Sequence, residues 1–261
     1  MQLFITSARQ FPAALYFTGF LTASLPLHAG PHAAAIDQPI RAAVVEVSEM
    51  KYLALYLYDQ TGTQQKPAPY LTFNKLKAAL QQQCKSMTFA MNAGMFHADF
   101  SPVGLYVEND VQLRQLNRAQ HGYGNFLIQP NGVLAWNDDH AVIETTDQYS
   151  RKGFKAKYAT QSGPMLVIDG KLNPNFLPDS SSYKLRNGVG IKGQSLYFVI
   201  SREPVTFYQF ASYFQDQLKT PNALYLDGSL SSIYSEDLHL HDAFRALGPM
   251  IAYTEPAAAC K

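Results

Sequence analysis

Apolar and polar positions alternate in short runs along most of this chain, a period of two that predicts β-strands. The first two are expected at Arg41–Ser48 and Tyr52–Tyr58. In the second, Leu53, Leu55 and Leu57 share one face, and Tyr52, Ala54, Tyr56 and Tyr58 the other. Beyond a loop at Gln60–Pro69 the period changes. Thr72 is placed to cap a helix whose Phe73, Leu76, Ala79 and Leu80 form one stripe, ending near Gln83. Short strands between Gly-, Asn- and Pro-bearing turns follow: Met87–Met91, Gly104–Glu108, Asn125–Ile128, Met165–Ile168, Gly188–Ile191 and Leu196–Ser201. Phe126–Gln129 and Val133–Trp136, joined by Pro130-Asn131-Gly132, have the chemistry of a hairpin. After Pro204, the residues Phe207, Phe210, Ala211, Phe214 and Leu218 recur at helical spacing until Pro221. Ala223–Leu226 reads as a buried strand, and Pro249–Tyr253 as the last one. Strands outnumber helices. The expected class is α+β, a mixed β-sheet with a few covering helices in a single domain.

The N-terminal pattern is different. One basic residue, Arg9, precedes an uncharged, mostly apolar run from Phe11 to Leu27, and small residues follow at Ala29 and Ala33–Ala35. This is the layout of a secretory signal peptide, expected over residues 1–35, with the functional domain over 36–261. An uncleaved anchor is the competing reading, but the run falls short of the roughly 20 residues a span needs and contains Pro26. The mature chain is then periplasmic or secreted, without a membrane span. Such a compartment permits a disulfide between Cys84 and Cys260, and the sequence leaves that pairing open.

Composition narrows the partners. At 261 residues and 47% apolar content, one core can be well buried without help from metal or disulfide. Charged residues are 16% of the chain, the net charge is +1 and no run of four basic residues occurs, which argues against nucleic acid and anionic membrane surfaces. The 16 Tyr and 16 Phe suit half-buried strands as well as sugar contact. Nothing in the pattern specifies an oligomeric state.

Four segments set polar side chains beside glycine at strand ends, where binding and catalytic loops usually sit. They are Asn92-Ala93-Gly94-Met95-Phe96, Gln161-Ser162-Gly163-Pro164, Arg186-Asn187-Gly188-Val189-Gly190 and Asp227-Gly228-Ser229-Leu230-Ser231-Ser232. Each is also an ordinary turn former taken alone. His239 and His241 beside Asp237 and Asp242 admit a metal reading, but Ser235–Asp242 reads better as a polar exposed loop, so neither a metal site nor a cofactor is expected. His97 and Asp99 read as surface residues, and Glu203 as a carboxylate suited to a helix entrance.

In order along the chain, these segments, together with Phe100-Ser101-Pro102-Val103-Gly104-Leu105 and Gly124-Asn125-Phe126-Leu127-Ile128, resemble the motifs of the phosphodiester-glycosidase family over roughly residues 86–253. The chain departs from the family pattern at Ala93, Met95 and Ser229-Leu230, where the family has glycines and an aromatic residue. The resemblance implies a hydrolase that separates a sugar from a phosphate in an envelope or extracellular glycan. Asp227, Arg186 and Asn92 are then the expected catalytic residues. Gly94, Phe96, Gln161, Ser162, Gly163, Asn187, Gly228, Ser229, Ser231 and Ser232 are expected to bind substrate. A phosphate leaving group needs a neutralising cation, Arg186, more than a strong acid, which leaves Asp227 as nucleophile or general base. A domain that binds a glycan or phosphate without turnover, with Leu230 reshaping the pocket, is the alternative. A partner-binding envelope protein is a third.

Overall fold

A computed structural model of the chain describes residues 40–59, 67–122, 124–242 and 245–258. The expected signal peptide at 1–35, most of the 60–69 loop and Cys260 lie outside the described residues. All described residues belong to the unit spanning 34–261.

In chain order the elements are β1 (Ala42–Val47), β2 (Leu53–Tyr56), α1 (Phe73–Gln82), β3 (Lys85–Asn92), β4 (Tyr106–Glu108) and β5 (Val111–Arg114). Then come β6 (Gly132–Trp136), β7 (Ala141–Thr145), α2 (Thr146–Lys152), β8 (Tyr158–Ser162), β9 (Met165–Ile168) and β10 (Lys171–Leu172). The chain continues through β11 (Asn187–Lys192), β12 (Ser195–Ser201), α3 (Phe207–Ser212), β13 (Asn222–Tyr225), β14 (Ile233–Ser235), β15 (Leu240–His241) and β16 (Met250–Pro256). The strands form three sheets, ordered β1-β12-β11-β13-β9-β10, β15-β14-β3-β16-β2 and β5-β4-β8-β6-β7.

The expected mixed sheet is replaced by three antiparallel ones, within the α+β class. The reason lies in the connections. Parallel neighbours need a crossover of a dozen or more residues, usually helical. Here β4–β5, β6–β7, β9–β10, β11–β12 and β14–β15 are instead joined by short links that pair consecutive strands. The proposed hairpin of Phe126–Gln129 with Val133–Trp136 does not form. Asn125–Leu127 is a 3-10 turn, and β6 pairs with β7 and β8. The Asn131 side chain binds inward, donating to the Phe126 carbonyl at 3.3 Å and accepting from the Thr146 hydroxyl at 2.6 Å.

One core joins the three sheets. Leu53, Leu55, Phe89 and Met91 from the second meet Phe198, Ile200 and Val189 from the first and Tyr106, Leu134 and Trp136 from the third. The Trp136 indole N–H donates to the Leu53 carbonyl across the sheets at 2.9 Å, satisfying the polar end of a fully buried ring. Each helix covers an outer face. Phe73, Leu76 and Leu80 of α1 pack with Met87, Ala90, Met250 and Ala252 of the second sheet. Phe210 and Ala211 of α3, with Phe214, cover Leu166, Val199 and Ala223 of the first. The expected cap on α1 is present, Thr72 accepting from the Lys75 amide at 3.2 Å. At α3 the cap is Thr206, in a reciprocal box with Gln209. Glu203, expected to serve that helix entrance, instead accepts from the Arg41 amide at 2.9 Å.

Candidate active site

Sheet order brings distant turns together. β11 lies between β12 and β13, so Asn187 at its start stands beside the loop that leaves β13 at Asp227. β3 pairs with β14, which sets Asn92 against Ser231 and Ser232. The join is made by Asn92, itself 1% exposed. Its Oδ1 accepts from the Ser232 amide at 2.8 Å and from Asn187 Nδ2 at 3.0 Å, while its Nδ2 donates to the Asp227 carbonyl at 2.7 Å. The Asp227 amide donates to the Ala93 carbonyl at 3.1 Å and the Leu226 amide to the Asn187 carbonyl at 3.1 Å. Ser231 Oγ donates to Asn187 Oδ1 at 3.3 Å. Thus Asn92, Asn187, Asp227, Ser231 and Ser232 form one buried clamp. A clamp of this kind holds in one place the backbone of Asp227, a residue 7% exposed.

Arg186 lies behind this clamp rather than in front of it. Its Nε donates to the Val205 carbonyl at 2.9 Å, Nη2 to the Ser182 carbonyl at 2.8 Å and Nη1 to the Tyr225 hydroxyl at 3.4 Å. The guanidinium also stacks 3.7 Å from the Phe207 ring centroid, and the residue is 1% exposed. Burial pulls its pKa below the usual arginine value, with Tyr225 working against that. In return Arg186 holds the Tyr225 hydroxyl. Burial pushes that phenol up to about 12, Arg186 opposes the rise and the charge of Asp227 adds to it, so the phenol stays protonated at neutral pH. Gly228 packs so closely on Tyr225 that a β-carbon there would overlap the hydroxyl. Arg186, Tyr225 and Gly228 form a stack under the Asp227 loop.

Gln161 is turned to the far side of β8. Its Oε1 accepts from the Leu105 and Asn117 amides at 3.0 and 2.8 Å, and its Nε2 donates to the Asn117 carbonyl at 2.7 Å and to Thr146 Oγ1 at 2.9 Å. Both lone-pair positions and both N–H groups are used, so the side chain ties the loop ahead of β4 and the one behind β5 to the third sheet. Gly94 is wedged against Thr160 Oγ1 and the Gln161 carbonyl, and Gly163 against Asn131. The Ser162 hydroxyl is fully buried without a protein hydrogen-bond partner. Phe96 stacks on Phe100 with ring centroids 5.7 Å apart and fills the space beside Gly248. Ser229 contributes backbone to a 3-10 turn, Gly228–Leu230; its side chain lies outside the description.

The clamp borders a cleft of about 470 Å³ lined by Lys184, Leu185, Gly228, Leu230, Ser231, Ser232 and Arg245. Four of these, Gly228, Leu230, Ser231 and Ser232, were expected from sequence. Lys184, Leu185 and Arg245 carry no motif signal, and Tyr225 looks like any core residue of an apolar strand. The expected polar loop at Ser235–Asp242 holds the last residue of β14 and all of β15, which pair with each other. His241 sets its ring edge-on to Tyr234, and Asp242 pairs with Arg202 at 3.1 Å. A half-buried carboxyl that sequence did not flag is Glu108. Desolvation raises its pKa to about 7, against hydrogen bonds from the Tyr106 hydroxyl (2.7 Å) and the Leu57 amide.

Comparison with known proteins bears on this arrangement. The sequence model of the phosphodiester glycosidase family matches residues 85–252. The uncharacterized protein YigE of Escherichia coli K12 is 39% identical over 164 residues, which are 62% of this chain and 63% of that protein, so the match spans less than two thirds of its length. A hypothetical protein from Synechocystis has a similar fold, with TM-score 0.54 and 15% identity over 82% of this chain and 58% of its own. The catalytic domain of zebrafish N-acetylglucosamine-1-phosphodiester alpha-N-acetylglucosaminidase, auto-inhibited by its pro-peptide, aligns with TM-score 0.50 and 12% identity over 84% of each chain. At these identities the two structures speak for the fold.

Proposed function

Because this chain belongs to the phosphodiester glycosidase family, we propose that the clamped Asp227 loop is the catalytic centre of a hydrolase that cleaves a sugar from a phosphodiester. The bond broken joins the anomeric carbon to the phosphoester oxygen. Its electron pair leaves with a phosphate monoester, whose second pKa of about 6 makes strong acid catalysis unnecessary. The Asp227 carboxylate either attacks the anomeric carbon, with water later releasing the sugar, or takes a proton from the attacking water. The observation that carries the reading is the convergence of Asn92, Asn187, Ser232 and the Asp227 backbone on one buried network at the rim of a cleft. Preorganisation of that kind is what a reacting carboxylate requires.

Arg186 acts here as a positioning residue: it orients Tyr225, which supports Gly228, and it adds positive potential beneath the carboxylate. The substrate is placed in an envelope or extracellular glycan, since the leader-like pattern at 1–35 reads as an export signal. The presence of Leu230 in the cleft favours one second reading, a domain that binds its ligand without turnover.

Asp227→Asn separates the two. The test is incubation with a panel of glycosyl-1-phosphate aryl esters, with phosphatase added to liberate the coloured phenol. Turnover by the wild type and a loss of at least 10²-fold in Asp227→Asn, with an unchanged melting curve, are expected. Undiminished turnover in the variant removes the role given to Asp227. Ligand-induced thermal stabilisation of the wild type without product favours binding alone.

A further inference from the structure

With Arg186 engaged by Val205, Ser182, Tyr225 and Phe207, a phosphate entering the cleft needs other cations. Two line it, Lys184 and Arg245. Both are exposed, and among the described residues neither forms an ion pair. No acidic side chain is among the lining residues described; Asp227 precedes Gly228 in the chain, and Asp242 is paired with Arg202. Two cations facing one cleft raise its positive potential, and an anion bound between them relieves their repulsion. The rest of the lining is Leu185, 47% exposed, and Leu230, with Gly228, Ser231 and Ser232. The Ser231 hydroxyl is turned to Asn187 Oδ1 and the Leu185 carbonyl, and Ser232 is buried, which leaves the two leucines as the open side-chain wall. No aromatic ring lines the cleft among the described residues. Leucine side chains offer neither hydrogen bonds to hydroxyls nor a ring face to stack on; they gain only by covering hydrocarbon.

Resting on the reading of this cleft as the site of phosphodiester cleavage, we infer that Lys184 and Arg245 hold the phosphate of the substrate and that the Leu185–Leu230 wall receives an apolar alcohol esterified to it. The substrate class is then a sugar phosphodiester of an apolar alcohol, rather than of a second sugar. Hydrolysis releases the sugar on one side and an alkyl phosphate monoester on the other, and the monoester is the half that stays in the cationic, leucine-walled cleft.

Calorimetric titration of the full chain with hexyl phosphate, methyl phosphate, glucose 6-phosphate and inorganic phosphate tests this without relying on turnover. Burial of each methylene strengthens binding by up to about fourfold, so hexyl phosphate, only partly covered, should bind about tenfold more tightly than methyl phosphate. It should also outbind glucose 6-phosphate. The double variant Lys184→Ala, Arg245→Ala should weaken all four by about tenfold or more and flatten their dependence on salt. Leu185→Ser should remove the advantage of the hexyl chain while leaving methyl phosphate unchanged. All these positions are exposed, so melting curves serve as the check on folding. A preference for glucose 6-phosphate, equal affinities in wild type and double variant, or no binding of any probe overturns the inference. Binding of hexyl phosphate as described, in a protein that cleaves no diester, sinks the catalytic reading and leaves this one standing. Diester cleavage whose KM is unmoved in the double variant does the reverse.

Discussion

Glu108 offers a test of the structure that is independent of catalysis. Its carboxyl lies at the junction of the second and third sheets, accepting from Tyr106 at 2.7 Å and from the Leu57 amide, with Tyr58 and Tyr158 within range of its charge. Those hydrogen bonds favour the ionised form, yet loss of hydration wins and places the pKa at about 7, against 4.5 for the ordinary carboxyl. The folded state therefore holds this proton more tightly than the unfolded chain. The stability it contributes is fully present below the unfolded pKa near 4.5 and is lost as pH rises through about 7, above which the loss levels off. At about 1.4 kcal/mol for each tenfold change in proton affinity, the swing comes to about 3 kcal/mol. Glu108→Gln keeps an acceptor for Tyr106 and removes the titration. Urea unfolding of both proteins between roughly pH 4.5 and 8.5 gives the comparison. The free-energy difference between variant and wild type should move in favour of the variant by roughly 3 kcal/mol across that range. Other titrating groups cancel in the difference. A difference constant to within about 0.5 kcal/mol would mean that the carboxyl is hydrated, and the burial argument would fail.

Two further substitutions probe the stack beneath Asp227. Gly228→Ala places a methyl on the Tyr225 hydroxyl, so turnover and thermal stability should both fall; adding Tyr225→Phe should recover part of the stability, which a melting cycle over the four proteins would show, and strict additivity would refute the contact. Arg186→Lys should cost about 2–4 kcal/mol in urea unfolding, because one ammonium cannot span Val205, Ser182 and Tyr225 while stacking on Phe207; a wild-type unfolding midpoint would show that those bonds contribute little.

Much of the secondary structure was legible locally, because period and capping chemistry are properties of neighbouring residues. The Thr72 cap, the apolar stripe of α1 and the strands at Met87, Met165, Gly188 and Leu196 all follow from spacings within a dozen residues. Legibility failed where local chemistry serves a distant partner. Pro130-Asn131-Gly132 has the composition of a hairpin turn, but Asn131 is spent on Phe126 and Thr146. β6 is buried along its whole length, so no alternation marked its partners.

The candidate site divides the same way. Sequence order and residue type were enough to point to the Asn92, Asn187 and Asp227 turns, since polar groups beside glycine at strand ends are a local signal. Which way each side chain faces was settled only by packing. Gln161 and Arg186 look like ligands for a substrate in one dimension. In three, each is surrounded by protein donors or acceptors: the loops at Leu105 and Asn117 flank Gln161, and the Ser182 and Val205 carbonyls hold Arg186. Lys184 and Arg245 show the converse. Sixty-odd residues apart and without a motif, they share a cleft because antiparallel pairing folds their segments onto one rim, and hydrogen bonding between strands acts without regard to separation along the chain.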